Sequence, residues 1–131
     1  ILYERGVDSK DCAIIRSQGD KALFNLDTAL LKRKFGAPAS RPLADFLPTI
    51  SIKAKDFAAE MTSVNVQQKE LYGQQQICQE HVDNNAAVRQ MLLQRGIVPE
   101  RLPASEDVKK VERRLKSEAK SLVQNQSPKK S

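Results

Sequence analysis

The sequence feature that most constrains the fold is a helical period in the apolar residues, and it is clearest between Ser105 and Val123. Apolar residues recur there at steps of three and four, which places them in one narrow stripe on a helix with about 100° per residue. This terminal stripe consists of Val108, Val111, Leu115, Ala119 and Leu122. Ser105 is a suitable N-cap for the helix. Since an isolated helix gains its stability from burying such a stripe, we expect it to pack on its own domain or on a partner chain.

The same helix carries the net charge of the chain. Six cations lie broadly opposite the terminal stripe and form what we call the basic surface: Lys109, Lys110, Arg113, Arg114, Lys116 and Lys120. Residues 109–131 contain 8 basic and 2 acidic residues, whereas the preceding 108 residues contain 14 of each, so the formal charge of +6 lies in this segment. Clustered cations on one helical face are typical of contact with phosphates. No aromatic residue alternates with them, which argues against a surface that stacks on single-stranded DNA. Two interpretations of the basic surface remain open: a solvated helix face, or contact with DNA, which is expected to be without sequence specificity.

The remainder of the chain also predicts helices, and it offers no pair of strands. Gly6 and Gly96, each followed by an apolar residue, are typical helix stops. The sequence therefore predicts an all-α fold, a single domain of five to seven helices. Residues 1–104 are expected to form the helical domain, and residues 105–123 a basic amphipathic helix packed on it or on a partner. Residues 124–131 are polar and are expected to be a disordered tail.

Several helix boundaries follow from capping residues and breakers. A helix that begins at Asp8 or Ser9 is expected to fade at residues 17–19, and a short helix is predicted from Ala29 to Phe35. Residues 74–95 are mostly helical in pattern. The polar residues 83–85 can kink or recap that helix, so one helix and two helices both remain open.

A buried face is predicted for the helix that starts at Thr49 or Ser51. Its large apolar residues follow a helical period over about four turns, with alanines between them. The predicted face consists of Ile52, Ala54, Phe57, Ala58, Met61 and Val64.

Composition limits the class of protein. No apolar run approaches the roughly 18 residues of a membrane span, and no signal peptide is visible. We therefore expect a cytoplasmic protein whose Cys12 and Cys78 are reduced. The chain opens without Met, inside a helical phrase, which suggests a piece of a longer protein. Cys78 and His81 supply only two of the roughly four ligands of a zinc site, so no metal and no cofactor is expected.

Several ordered phrases resemble the C-terminal part of the bacterial DNA-damage-inducible protein D family. They are GDKALFNLD at residues 19–27, KRKFG at 32–36, LADFLPTISIKAKDFAAEMT at 43–62 and VRQMLLQRGIVPERLP at 88–103. The resemblance implies a protein induced in the response to DNA damage, with an N-terminal half similar to phage antirepressor domains. It implies no agreed enzymatic activity. It becomes thin after Pro103, so the role of the basic surface is argued from this sequence alone.

Other candidate sites have simpler interpretations. Cys78 and His81 can share a helix face as a nucleophile pair, but a satisfied, partly buried histidine is the favoured interpretation. Residues 32–34 together with Arg41 could add a second basic patch. An exposed helix end favoured by the helix dipole explains them better. No pair of carboxylates suits acid–base catalysis, so we expect no enzyme.

Two functions remain in view. The first is a non-enzymatic binding domain of an SOS-type damage-response protein that contacts DNA or a repair protein–DNA filament. The alternative is a protein-interaction or oligomerisation module without nucleic-acid contact, which would pair through Val108, Val111, Leu115 and Leu122, with a homodimer as one form. A membrane partner is not expected, because the apolar face is small and lacks Trp and Phe.

Overall fold

The chain is all-α, as the sequence predicts. The computed structural model describes residues 2–104 and 108–126, and within these ranges it contains helices and turns but no strand. The α-helices are α1 (Ser9–Phe24), α2 (Thr28–Lys34), α3 (Thr49–Gln68), α4 (Gln74–Gln94) and α5 (Val108–Gln126). Short 3-10 helices span Leu2–Arg5, Leu43–Asp45 and Pro99–Arg101. Among the described residues, no helix combines the length and the apolar character needed to cross a membrane.

Helix α1 is longer than the sequence suggests. Asp8 caps its N-terminus in a reciprocal capping box with Asp11. The expected end at residues 17–19 is wrong, because the helix continues through Gly19 to Phe24 and stops at Asn25, whose φ is 62°. Phe24 is fully buried. The apolar last turn therefore outweighs the cost of about 1 kcal/mol that a glycine imposes inside a helix.

The predicted glycine stop after α4 is confirmed. The amide of Ile97 donates to the carbonyl of Leu92 at 2.9 Å, which is the long bond of a Schellman motif around Gly96. Helix α2 ends in the same way at Gly36, where the amide of Ala37 donates to the carbonyl of Lys32 at 2.8 Å. At the other end of α2, the Asp27 carboxylate accepts the amide of Leu30 at 2.9 Å.

The buried face of α3 is rotated from the predicted one. Ala54 and Ala58 are buried as expected, but Phe57 and Val64 are 55% and 52% exposed. The face that packs inward contains Ser51, Ala54, Ala58, Thr62 and Val66. It is made of small and β-branched residues because α3 approaches α4 closely and places Thr62 within hydrogen-bond distance of α4 side chains. The large apolar residues therefore predicted the wrong buried face for this helix.

Helix α4 is one continuous helix, which settles the question left open at residues 83–85. Asn84 and Asn85 are 8% and 2% exposed, and they face inward as parts of the helix rather than interrupting it. Asn84 donates to Thr62 at 3.0 Å, and Asn85 donates to the carbonyl of His81 at 2.8 Å. Their side-chain amides therefore form tertiary and intrahelical hydrogen bonds instead of a cap.

Helix α4 is the central element, since it packs against both α1 and α3. A larger apolar cluster joins the end of α1 to α2, α3 and the second half of α4, and it is centred on Leu23, Phe24, Leu31 and Val88. A smaller cluster, formed by Val7, Ile15, Val66 and Ile77, closes the other end. Between these clusters a cleft separates α1 from α3.

Helix α5 runs from Val108 to Gln126, three residues beyond the predicted end at Val123. The predicted N-cap Ser105 and residues 127–131 lie outside the described residues. Residues 124–126 continue α5, and the disordered tail stays a prediction for the residues beyond them. All side chains described for α5, at residues 113–122, are exposed.

Candidate functional site

The basic surface on α5 is the first candidate site. Its four described members, Arg113, Arg114, Lys116 and Lys120, are all exposed. The side chains of Lys109 and Lys110 lie outside the described residues. Arg114 has an ion pair with Glu118 in which the Nε–Oε1 distance is 3.9 Å, at the outer limit for such a contact. A pair so long and so exposed contributes little to stability, and it leaves the helix strongly positive along its length.

The terminal stripe is exposed where it is described. Leu115 and Leu122 are 54% and 62% exposed. The side chains of the other two predicted interface residues, Val108 and Val111, lie outside the described residues. Packing of the stripe on its own domain is therefore not seen at Leu115 or Leu122, and the question of a partner stays open for these positions.

The second candidate site is the cleft between α1 and α3, which has a volume of about 430 Å³. Helix α4 forms its floor. Ile15 and Ile77 give one end an apolar wall, whereas the other end is polar. The polar residues that line the cleft are Arg16, Asp20, Lys55, Asp56, Thr62, Ser63, His81 and Asn85. Three helices, α1, α3 and α4, therefore contribute polar side chains to this cleft.

His81 is held in one tautomer. The hydroxyl of Thr62 donates its single proton to the carbonyl of Ala58 at 2.9 Å. It therefore acts only as an acceptor toward Nδ1 of His81, 2.8 Å away, and Nδ1 must carry the hydrogen. The lone pair on Nε2 is then free to accept from the Asn85 amide, whose nitrogen lies 3.3 Å away. This arrangement orients a neutral imidazole.

The neutral form of His81 is also favoured by its surroundings. Burial lowers the pKa of His81 from its ordinary value, and this effect is larger than the opposing attraction of the Asp20 carboxylate. The ammonium of Lys55 lowers the pKa further. His81 is thus a satisfied, partly buried histidine, as predicted. Its hydroxyl neighbour donates elsewhere, so the contact with Thr62 does not activate a nucleophile.

A buried ion pair closes the polar end of the cleft. The Asp20 side chain is 4% exposed and pairs with the ammonium of Lys55. The hydroxyl of Thr28 donates to the same carboxylate at 2.5 Å. Both carboxylate oxygens therefore have a donor, which is what a buried charge requires. The pair joins α1, α2 and α3 at one point.

A second polar cluster lies between the C-terminal end of α3 and the first half of α4. Glu80 accepts from Lys69 at 2.8 Å and from Asn65 at 2.9 Å. The hydrogen bond from Lys69 holds the pKa of Glu80 below its ordinary value, against the opposing effect of burial. This pair clamps the end of α3 to α4.

The two thiols do not pair with His81 or with each other. Cys12 lines the cleft, whereas Cys78 lies in a separate surface depression beside Ile14 and Val82. Burial raises the pKa of the Cys78 thiol, which disfavours the reactive thiolate. Within the described residues, no group of three or more His, Cys, Asp or Glu side chains is placed to hold a metal ion.

Arg41 and Lys32, two cations of the possible second basic patch, each have partners close by in the chain. Arg41 pairs with Asp45 at 2.7 Å, and its guanidinium lies 5.4 Å from the ring centroid of Phe46. Lys32 donates to the carbonyl of Ala39 at 3.4 Å. Arg33 and Lys34 are exposed in the last turn of α2, where cations suit the helix dipole.

The sequence does not point to the network in the cleft. In the sequence, Asp20 stands out only as an acidic residue near the cations of α2. In the fold, its carboxylate binds Lys55, 35 residues away. Thr62 is not part of the predicted face of α3. One signal is present: Thr62 follows Ala58 by four residues on the same helical line, which places it on the buried face once that face is known.

The comparison with known families agrees with the resemblance in the sequence. The family model described as the DinD C-terminal domain matches residues 3–111. The match covers α1 to α4 and ends within the first turn of α5. No curated protein and no solved structure matches the chain. The chain therefore belongs to the DinD C-terminal domain family, in the setting of DNA-damage-inducible proteins that its ordered helical phrases indicate.

Proposed function

We propose that this domain is a non-enzymatic, cytoplasmic binding module of the SOS-type response to DNA damage. It contacts DNA, bare or within a repair protein–DNA filament, through the phosphate backbone and without sequence specificity. The observation that carries the proposal is the exposure of Arg113, Arg114, Lys116 and Lys120 along one helix. The membership in a family of damage-inducible proteins supports it.

The physical basis is the release of counterions. A helix that places cations beside phosphates releases condensed ions, so the affinity falls steeply with salt. The exposed cations of α5 meet this requirement without rearrangement of the core. No aromatic residue lies between residues 105 and 131, so stacking on bases contributes nothing. Affinity should therefore depend on charge and little on base sequence.

The test is a titration of the full chain against a short DNA duplex at several salt concentrations. Each phosphate contact contributes about 0.9 to the slope of log K against log salt. A variant in which Arg113, Arg114, Lys116 and Lys120 are replaced by Gln should bind weakly and show a flattened slope. Shuffling the duplex sequence should leave the affinity of the parent chain unchanged.

A charge-matched control separates a local effect from a change in net charge. Lys10, Lys21, Arg33 and Lys34 are four exposed cations on α1 and α2. Replacing them by Gln removes the same charge and should leave most of the slope intact. Equal loss in both variants would contradict a specific role for α5, and absence of binding at low salt would contradict direct contact with DNA.

The filament version makes a different prediction. If the physiological ligand is DNA coated by a recombination protein, the coated filament should compete for the chain more strongly than bare DNA of the same length.

The alternative function, a protein-interaction module without DNA contact, is favoured by the exposure of Leu115 and Leu122. It predicts a partner-dependent effect of Leu115→Asp and no salt-dependent DNA affinity.

A further inference from the structure

The cleft between α1 and α3 has the size of a binding site for a small molecule. Its volume of about 430 Å³ falls within the range of roughly 300–1,000 Å³ that is typical of small-ligand pockets. Ile15 and Ile77 give it an apolar wall, and Ala59 adds a small apolar side chain from α3. An apolar wall combined with a few polar groups is the usual composition of such a site.

The shape of the cleft is fixed by side chains that bind each other. The imidazole of His81 is held by Thr62 on one side and by Asn85 on the other. The pair of Asp20 with Lys55 joins α1 to α3 at the polar end. A ligand therefore enters a preformed cleft, which lowers the entropic cost of binding.

Two other charges line the cleft and differ from these groups. Arg16 on α1 and Asp56 on α3 are both exposed, and among the described residues neither side chain has an ion-pair partner. Arg16 precedes Asp20 by four residues, which is about one helical turn, and Asp56 directly follows Lys55. Opposite charges with free hydrogen-bonding capacity therefore stand on the two walls, close to the pair that spans the cleft.

The balance of charge limits the class of ligand. Two cations and two anions line the cleft, so their formal charges cancel. A phosphate would meet the two carboxylates as well as the two cations, and the repulsion would offset much of the attraction. A ligand that carries one positive and one negative group can instead place each beside an opposite charge, at Asp56 and at Arg16.

We propose that this cleft binds a zwitterionic α-amino acid with an apolar side chain. The guanidinium of Arg16 holds the carboxylate, for which its planar donors are well suited. Asp56 holds the ammonium group, and the side chain of the ligand lies against Ile15 and Ile77. The inference is independent of the proposed contact with DNA, since it uses no residue of α5.

The apolar contact should contribute more to the affinity than the charges. Burial of a leucine-sized side chain is worth at least about tenfold in affinity. An exposed ion pair is worth about two- to fivefold. For a ligand as small as an amino acid, the resulting dissociation constant is on the order of 1 mM.

NMR titration of the full chain with L-leucine tests this proposal, because NMR detects binding this weak. The methyl signals of Ile15 and Ile77 and the amide signal of Gly19 should shift and reach saturation. Glycine has the same charges but no side chain, so it should bind at least about tenfold more weakly. N-acetyl-L-leucine lacks the ammonium group and L-leucinamide lacks the carboxylate. Each analogue should bind about two- to fivefold more weakly than L-leucine.

Two variants assign the charged contacts. Arg16→Gln should weaken L-leucine and N-acetyl-L-leucine by about two- to fivefold, and it should not weaken L-leucinamide. Asp56→Asn should weaken L-leucine and L-leucinamide by a similar factor, and it should not weaken N-acetyl-L-leucine. The matched controls are Arg33→Gln on α2 and Glu60→Gln on α3, which are exposed positions outside the cleft and should leave binding unchanged.

Several results would overturn the proposal. They are the absence of saturable shifts at the cleft, equal binding of glycine and L-leucine, and equal loss of both analogues in either variant. Tighter binding of inorganic phosphate than of L-leucine would show an anion site instead. The comparison of L-leucine with its analogues uses the parent chain alone, so the proposal stays testable even if a variant does not fold.

Discussion

Gly19 and His81 face each other so closely that a side chain at residue 19 would collide with the imidazole. A Cβ atom added to Gly19 would lie 2.5 Å from Cδ2 and 2.6 Å from Nε2 of His81. Gly19 lies inside α1, where its φ is not positive, so backbone conformation does not require a glycine. The requirement comes from the close crossing of α1 over α4. This contact fixes the position of the imidazole within the cleft.

Gly19→Ala should therefore destabilise the domain, by about 1–3 kcal/mol for an overpacked site. At an unconstrained helical position the same change would stabilise by up to about 1 kcal/mol. The sign thus reports the contact with His81, whose ring is held by Thr62 and cannot move freely. Urea unfolding of the two proteins measures the difference.

The control for this prediction is the background His81→Ala. Without the imidazole, a methyl group introduced at residue 19 has room, so the Gly19→Ala substitution should become neutral or stabilising there. An equal loss in both backgrounds would contradict the steric explanation.

The pH dependence of stability should report His81 in the weakly acidic range. Because burial lowers the pKa of His81 in the folded state, the unfolded chain binds more protons. The stabilising effect of the neutral imidazole is complete above the unfolded pKa of about 6.5, and it is lost as the pH falls below that value. The free energy of unfolding should thus decrease between about pH 7.5 and about pH 5.5.

His81→Gln should flatten this dependence. The lowered pKa values of Glu80 and Glu100 add their own loss of stability, but at more acidic pH, below their ordinary value of 4.5. A pH dependence above about pH 5.5 that is unchanged in His81→Gln would show that another group titrates there.

Removing each of two buried hydroxyls on α3 should change the free energy of unfolding in opposite directions. Ser51 is 2% exposed, and its hydroxyl has no hydrogen-bond partner in the structure. Ser51→Ala removes an unsatisfied polar atom and improves helix propensity, so it should stabilise by about 1 kcal/mol. Thermal or urea unfolding measures this gain, and a loss of stability would reveal a partner for the hydroxyl.

Thr62→Val provides the matched comparison. The hydroxyl of Thr62 accepts from His81 and Asn84 and donates to Ala58. Valine has the same shape but leaves the donors of His81 and Asn84 without an acceptor. The expected loss is about 1–3 kcal/mol. The Thr62→Val substitution should also release the imidazole of His81, which NMR of the ring protons would detect.

The sequence predicted the elements of this fold better than their faces. Caps and glycine stops at Asp8, Asp27 and Gly96 are local signals, because each is decided by hydrogen bonds within a few residues. The face of α3 is decided elsewhere, by how closely α4 approaches. Phe57 satisfies the helical period as well as Ala58 does, and only the tertiary structure distinguishes them.

The candidate sites divide along the same line. The cations of α5 can be found from the sequence because charge clustering is a property of one segment. Asp20 and Lys55 are 35 residues apart, and no local pattern links them. The interruption expected at Gly19 is an error of the same kind, since the glycine serves a contact with a helix about 60 residues farther along the chain.

Arg89 should be important for stability because it joins three segments. Its guanidinium forms two hydrogen bonds with Glu100, at 2.7 and 2.9 Å, and Nη1 also donates to the carbonyl of Leu23 at 2.9 Å. Arg89→Gln should cost about 1–3 kcal/mol in urea unfolding. Arg89→Lys should recover little of this, since an ammonium cannot make the paired contact.

The comparison for Arg89 is Arg114→Gln on α5. The Arg114–Glu118 pair is long, at 3.9 Å, and more than half exposed on both sides. Its loss should change stability by less than about 0.5 kcal/mol. A similar cost for both arginines would mean that charge, rather than the geometry around Arg89, governs the effect.

Replacing Asp20 and replacing Lys55, the two partners of the buried ion pair in the cleft, should cost different amounts of stability. Asp20 is short and 4% exposed, whereas the Lys55 side chain is 25% exposed and can extend toward solvent. Lys55→Met leaves a buried carboxylate with only the hydroxyl of Thr28 as a donor, which should cost about 3–5 kcal/mol. Asp20→Asn should cost less, because the freed ammonium can reach water. In the double variant no buried charge remains, so most of the loss caused by Lys55→Met should be recovered, and a double-mutant cycle in urea measures this coupling. Additive losses would show that the two side chains act independently and that the pair is not what closes the polar end of the cleft.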